Sequence, residues 1–179
     1  MSRFCRYFIN KSYTICQSIL GMKTAKGSMI HCSSDIRYRK NIYIGEKSIL
    51  YKKQSLYIGR NGKMTLGKNS HAAPYGYFLI ENQKLTIGDD VAIGPYCSFF
   101  CSSNTYSPDK ALFRENYEKA DIKIGNNVFI GAQSVILPGS VIHNHVIVAA
   151  NSVVRGILES GWLYGGSPCK QIKKLDKND

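Results

Sequence analysis

The chain has 179 residues, 44% of them hydrophobic, enough for one domain with a continuous core. Twenty-four Lys and Arg stand against twelve Asp and Glu, a net charge of +12 with histidine neutral, which favours anionic partners such as a phosphorylated cofactor, a nucleotide- or lipid-linked sugar, or an anionic membrane face. No nucleic-acid motif, bilayer-length apolar stretch, cleavable leader or CxxC zinc pattern is read in it, which sets aside a nucleic-acid binder, an integral membrane protein and a zinc protein.

In chain order, residues 1–30 stand apart from the rest of the chain. Tyr7, Phe8, Ile15, Ile19 and Leu20 are interleaved with Arg6, Lys11 and Lys23, which predicts one or two amphipathic helices ending near Gly21 or Gly27. Such a segment either caps the end of the next unit or lies on a membrane surface, with residues 1–20 making the contact.

From residue 31 to about 160 a different pattern governs. Ile124, Ile130, Ile136, Ile142, Val148 and Val154 fall at every sixth position, and Val128, Ser134, Ser140, Val146 and Ser152 come four residues after the first five. Neither the 3.6-residue period of a helix nor the two-residue period of a strand explains six. A chain that turns a corner every six residues does, with three hexads making one triangular coil. The fold class is therefore all-β, a left-handed parallel β-helix solenoid with an outward loop and short terminal helices. The same phase appears upstream at Ile44-Gly45, Ile58-Gly59, Leu66-Gly67, Ile87-Gly88 and Ile93-Gly94.

Two interruptions are predicted. The first, residues 70–84, places His71, Pro74, Tyr75, Gly76, Tyr77 and Phe78 between hexads. The second, residues 104–121, is polar and charged and reads as a loop thrown outward from one coil, where rigid scaffolds tend to carry function. Residues 161–179 form a basic tail with a glycine-rich turn at Gly165-Gly166 and a short helix from about Pro168. Cys97 and Cys101 fall inside the repeat and read as reduced packing residues. That places the protein in the cytoplasm, or at the inner face of the membrane.

The stretches Ile87-Gly-Asp-Asp-Val-Ala-Ile-Gly94, Ile124-Gly-Asn-Asn-Val-Phe-Ile-Gly131, Ile136-Leu-Pro-Gly139 and Gly165-Gly-Ser-Pro-Cys-Lys170 resemble the hexapeptide-repeat acetyltransferases, above all the bacterial sugar O-acetyltransferases. The resemblance covers residues 85–175 well. It implies a homotrimer with active sites between neighbouring prisms, acetyl-CoA as acyl donor, and a sugar or nucleotide- or lipid-linked sugar as acceptor, in surface polysaccharide biosynthesis. It implies direct transfer, in which a base takes the acceptor proton and a backbone N–H steadies the oxyanion, with no metal. Carried over position by position, it assigns cofactor contacts to Ala132, Ala150, Arg155, Gly156, Lys170 and Lys173.

One departure bears on the chemistry. In the sugar O-acetyltransferases the base is a histidine at the head of the outward loop, and here that pair reads Asn104-Thr105. A threonine hydroxyl is no base near neutral pH. Either another residue serves, with His145 and His71 ranked ahead of the loop carboxylates Asp109 and Glu115, or the subunit is a silent scaffold that binds partners. His31 precedes the repeat and has no motif around it. His143 replaces an expected turn glycine, and its two-residue spacing from His145 suits a zinc site poorly. Phe129 and Gly156 also depart from the family pattern, where tryptophan and lysine are frequent.

Overall fold

A computed structural model of the chain describes residues 3–109 and 112–176, and the side chains from residue 5 onward. The first two residues of the predicted cap, two of the outward loop and the last three of the tail lie outside the described residues.

Among the described residues short strands, parallel in every pair but the last of the second face, stack into three sheets of seven, eight and six strands, the faces of a triangular prism of about six coils. The first face runs from Lys23–Thr24 through Ile42–Ile44, Lys63–Leu66, Lys84–Ile87, Ile122–Ile124 and Val141–Ile142 to Ile157–Leu158. The second begins at Met29–Ile30 and the third at Asp35–Ile36. The register explains the hexad. Thr24, Ile44, Leu66, Ile87, Ile124, Ile142 and Leu158 form one row on the first face. All but Thr24 are buried. Ile30, Leu50, Ala72, Ile93, Ile130, Val148 and Tyr164 form the inner row of the second. Ile36, Leu56, Phe78, Phe99, Ile136 and Val154 form that of the third. Each aliphatic position of the repeat except Ile58 is thus a rung of one of three columns of core; Ile58 is buried two residues past the Leu56 rung, where the register shifts against Glu81.

The small positions line the corners. Ser48 Oγ donates to the Gly67 carbonyl at 2.5 Å, and Ser70 Oγ donates to the Gly88 carbonyl at 2.9 Å while accepting from the Val91 N–H at 3.0 Å. Serine fits because it is small enough for the bend and satisfies backbone groups the turn leaves unpaired. Just before each such position at the first-to-second corner the backbone is left-handed, at Lys47, Asn69, Asp90, Asn127 and His145. Asn and Asp tolerate that conformation better than most residues. Coil stacking also dictates glycine: a Cβ on Gly94 would lie 2.6 Å from the Ala132 nitrogen of the next coil.

The structure departs from expectation in three places. Residues 70–84 are not an interruption: His71–Ala72 and Tyr77–Glu81 are regular strands of the second and third faces. Ala72 and Phe78 occupy inward positions where the repeat asks for Ile, and Phe78 stacks on Phe99 with centroids 4.8 Å apart. The extra residues lie only at the corner after Glu81. Next, no helix forms among the described residues of the tail. Lys170–Lys174 is a strand antiparallel to Trp162–Gly165, whose free edge offers backbone partners that a short exposed helix would lack. Finally, the solenoid begins at Lys23–Thr24, before residue 31.

A single helix, Arg3–Ile19, precedes it and ends at Gly21 (φ +102°). It lies against the first coil through a polar face. Thr14 Oγ1 accepts from the Ile30 N–H at 2.8 Å, Asn10 Oδ1 from the Cys32 N–H at 3.1 Å, and Gln17 Oε1 from Arg39 Nε at 2.6 Å. These bonds satisfy edge donors of the first coil that no earlier coil can pair.

Candidate active site

The outward arm leaves the prism at the corner between the third and first faces. Ser102–Asn104 pairs antiparallel with Tyr117–Lys119. Asn104 holds the arm together: its Nδ2 donates to the carbonyls of Phe113 at 3.0 Å and Asn116 at 3.3 Å. Thr105 is exposed beside it, and its N–H donates to the Asn116 carbonyl at 3.1 Å. Asp109 and Glu115 are exposed on the same arm. At its base Glu118 accepts from Arg155 Nη2 at 2.6 Å, which ties Arg155 and the neighbouring Gly156 (φ +83°) to the loop.

His145 lies elsewhere, at the corner between the first and second faces. It lines a recess of about 270 Å³ with Asp90, Asn127, Phe129, Ile147 and Leu175. Its Nδ1 is 2.9 Å from Asn127 Nδ2. With the amide in that orientation, Nδ1 accepts and the proton resides on Nε2. Turned over, Asn127 presents its oxygen to an Nδ1–H, which leaves Nε2 with the lone pair a general base requires. Sequence reasoning misses Asn127, Phe129 and Leu175 as neighbours of this histidine. The Asn126-Asn127 pair one coil before His145 is the available signal.

His71 points outward from the second face, edge-on to Tyr51 with ring centroids 6.0 Å apart. It stands three strands from the strand that comes after His145, about 14 Å at ordinary strand spacing, so the two histidines do not share a pocket. His143 is exposed at the same corner as His145. His31 lies under the N-terminal helix, its pKa lowered by burial and then by Lys52, Arg6 and Lys53.

The residues assigned to the cofactor divide between two edges. Ala132 and Ala150 are adjacent rungs of the corner between the second and third faces, where the Asn151 N–H donates to the Ala132 carbonyl at 2.8 Å. Lys170 begins the final strand opposite Gly165, next to this corner, and Lys173 lies opposite Leu163 further along. Methyl side chains leave the backbone open to a narrow ligand, and the lysines supply charge for phosphates. Arg155 and Gly156 belong to the loop corner instead.

This is a hexapeptide-repeat prism, and residues 121–156 match the family model described as Bacterial transferase hexapeptide (six repeats). Galactoside O-acetyltransferase of Escherichia coli (strain K12) is 30% identical over 126 residues, 69% of this chain and 60% of that protein. The dTDP-4-amino-4,6-dideoxy-D-glucose acyltransferase of Escherichia coli is 27% identical over 157 residues, 77% of this chain and 81% of that protein. Among solved structures, AntD, an N-acyltransferase from Bacillus cereus in complex with dTDP and 3-hydroxybutyryl-CoA, superposes with a TM-score of 0.79 at 23% identity. That match covers 92% of this chain and 89% of AntD. Residues 121–156 thus carry the repeat of the hexapeptide transferases, and the relatives to which the chain is similar are acyltransferases. It spans 60% of the length of the galactoside enzyme.

Proposed function

We propose that the protein transfers an acetyl group from acetyl-CoA to a hydroxyl or amine of a sugar, as a homotrimer with its active sites between prisms. The observation that carries this reading is geometric. The outward arm with Asn104 and Thr105 leaves one corner, and His145, His71, Lys170 and Lys173 lie on or beside the face opposite that corner. A single prism keeps them apart. A second copy set beside the first brings its arm over that face. The outward row of the face beyond the helix end suits such a neighbour, because Ala92, Phe129, Ile147 and Leu163 make an apolar strip next to His71.

In this site Ala132 and Ala150 admit the pantetheine arm, and Lys170 and Lys173 meet phosphates. His145, with Nδ1–H held by Asn127, takes the acceptor proton as the oxygen or nitrogen attacks the thioester carbonyl. The C–S bond of the thioester breaks, the acyl group passes to the acceptor, and the CoA sulfur takes the proton back from His145 and leaves as the thiol, with no covalent enzyme intermediate. A nucleotide-linked sugar is the favoured acceptor, since an acyltransferase acting on a dTDP-amino sugar aligns over most of both chains. The setting is the cytoplasm and the product a precursor of surface polysaccharide.

Loss of thioester absorbance with a panel of nucleotide sugars tests the activity. His145→Ala should lower the rate about a hundredfold or more with the assembly intact. Exposed Thr105, which replaces the loop histidine, favours a second reading, a scaffold without turnover. In that case wild type is silent and Thr105→His gains activity.

A further inference from the structure

The N-terminal helix is inverted. Its polar residues Asn10, Thr14 and Gln17 are buried against the first coil, while Phe8, Ile15 and Ile19 are 49%, 54% and 81% exposed. At 100° per residue those three fall within about 40° of one another on the side away from the prism. The apolar strip continues round the helix to the rim of a groove of about 640 Å³, whose lining Tyr7, Ile15 and Ile19 share with Met29 and Ile49 of the second face. Lys11 and Lys26 line the same groove. No helix of the described residues is long and apolar enough to cross a membrane.

The charge is polarised toward the same end. Residues 1–60, the helix and the first two coils, hold twelve Lys and Arg against Asp35 and Glu46 alone, which is +10 of the total +12. The helix itself has no acidic residue. The lowered pKa of His31, with Lys52, Arg6 and Lys53 among its causes after burial, registers the same field. An apolar strip rimmed by one sign of charge suits a surface that is apolar within and negative at its boundary. A second copy meeting this end would set like charge against like.

We propose that the helix end of the prism docks on an anionic lipid bilayer, with Phe8, Ile15 and Ile19 entering the headgroup boundary and Lys11 and its basic neighbours meeting lipid phosphates. The same helix then does two jobs, its polar face closing the first coil and its apolar face holding the protein on the membrane.

Flotation of the full chain with vesicles tests this. The chain should float with phosphatidylcholine–phosphatidylglycerol vesicles and not with phosphatidylcholine alone, and raised salt should release it. Ile15→Ser with Ile19→Ser should weaken partitioning about tenfold or more, and Lys11→Glu several-fold, with circular dichroism unchanged. Phe8→Ser serves if the double variant misfolds. Failure of wild type to float with the anionic vesicles, or a folded serine variant that floats as wild type does, overturns the proposal. A serine variant that changes the mass in solution while wild type ignores vesicles assigns the strip to a second copy.

Discussion

Cys97 and Cys101 are fully buried in the prism, Cys97 at a corner where the repeat asks for something small. Cys97 Sγ donates to the Gly131 carbonyl at 3.2 Å. Burial pushes the Cys101 thiol up to about 12. Both thiols therefore stay protonated at neutral pH and should resist alkylation in the folded protein, while exposed Cys16 and Cys32 react. The stability consequence has a definite sign. As pH rises past 9 the unfolded chain loses the Cys101 proton before the folded one does, so the unfolded state binds fewer protons and stability falls between pH 9 and about 12. Cys101→Ser should flatten that part of a denaturation-against-pH curve. An equal slope in the variant assigns the alkaline loss to other groups. In the proposed mechanism the face of Asn127 toward His145 Nδ1 decides whether Nε2 is a donor or a base.

Among the elements, the N-terminal helix is amphipathic in sequence and in structure alike. Sequence periodicity says that two faces exist and not which one the fold buries. Hydrophobicity points the apolar face inward; the structure does the reverse, because the first coil presents unpaired N–H groups that only hydrogen-bonding side chains can satisfy. Thr14→Val, nearly the same size, leaves the Ile30 N–H buried without its partner and should cost about 1–3 kcal/mol in chemical denaturation. Vesicle binding of the folded variant should be unaffected. The tail shows the same limit. A helix start at Pro168 is a sound local signal, and an exposed edge strand at Trp162–Gly165 outweighs it.

At the scale of the whole molecule the prism is an open stack with a flat apolar face, a projecting arm on the opposite corner and most of its net positive charge at one end. In the proposed trimer the arm of one copy lies over the apolar face of the next. Light scattering should give about three times the 20.0 kDa chain mass at micromolar concentration. Mixing a His145→Ala chain with an Asn104→Ala chain, whose arm has lost its strut, should recover activity through sites that combine an intact arm with an intact histidine. A stable mass near one chain, or mixtures no more active than their parts, sets the shared site aside.

The solenoid is legible in the residues alone, because an eighteen-residue coil repeats its own local rule and each hexad reports its face without help from distant residues. So is the point where the arm leaves. Ala72 and Phe78 hide two upstream rungs, since a prism interior constrains summed volume, whereas the hexad rule asks for one residue type. The packed molecule alone settles how the ends close, which face of the helix turns outward, and that the two ranked histidines stand apart. These are matters of which unpaired backbone groups and which surfaces meet across coils, and no local period encodes them.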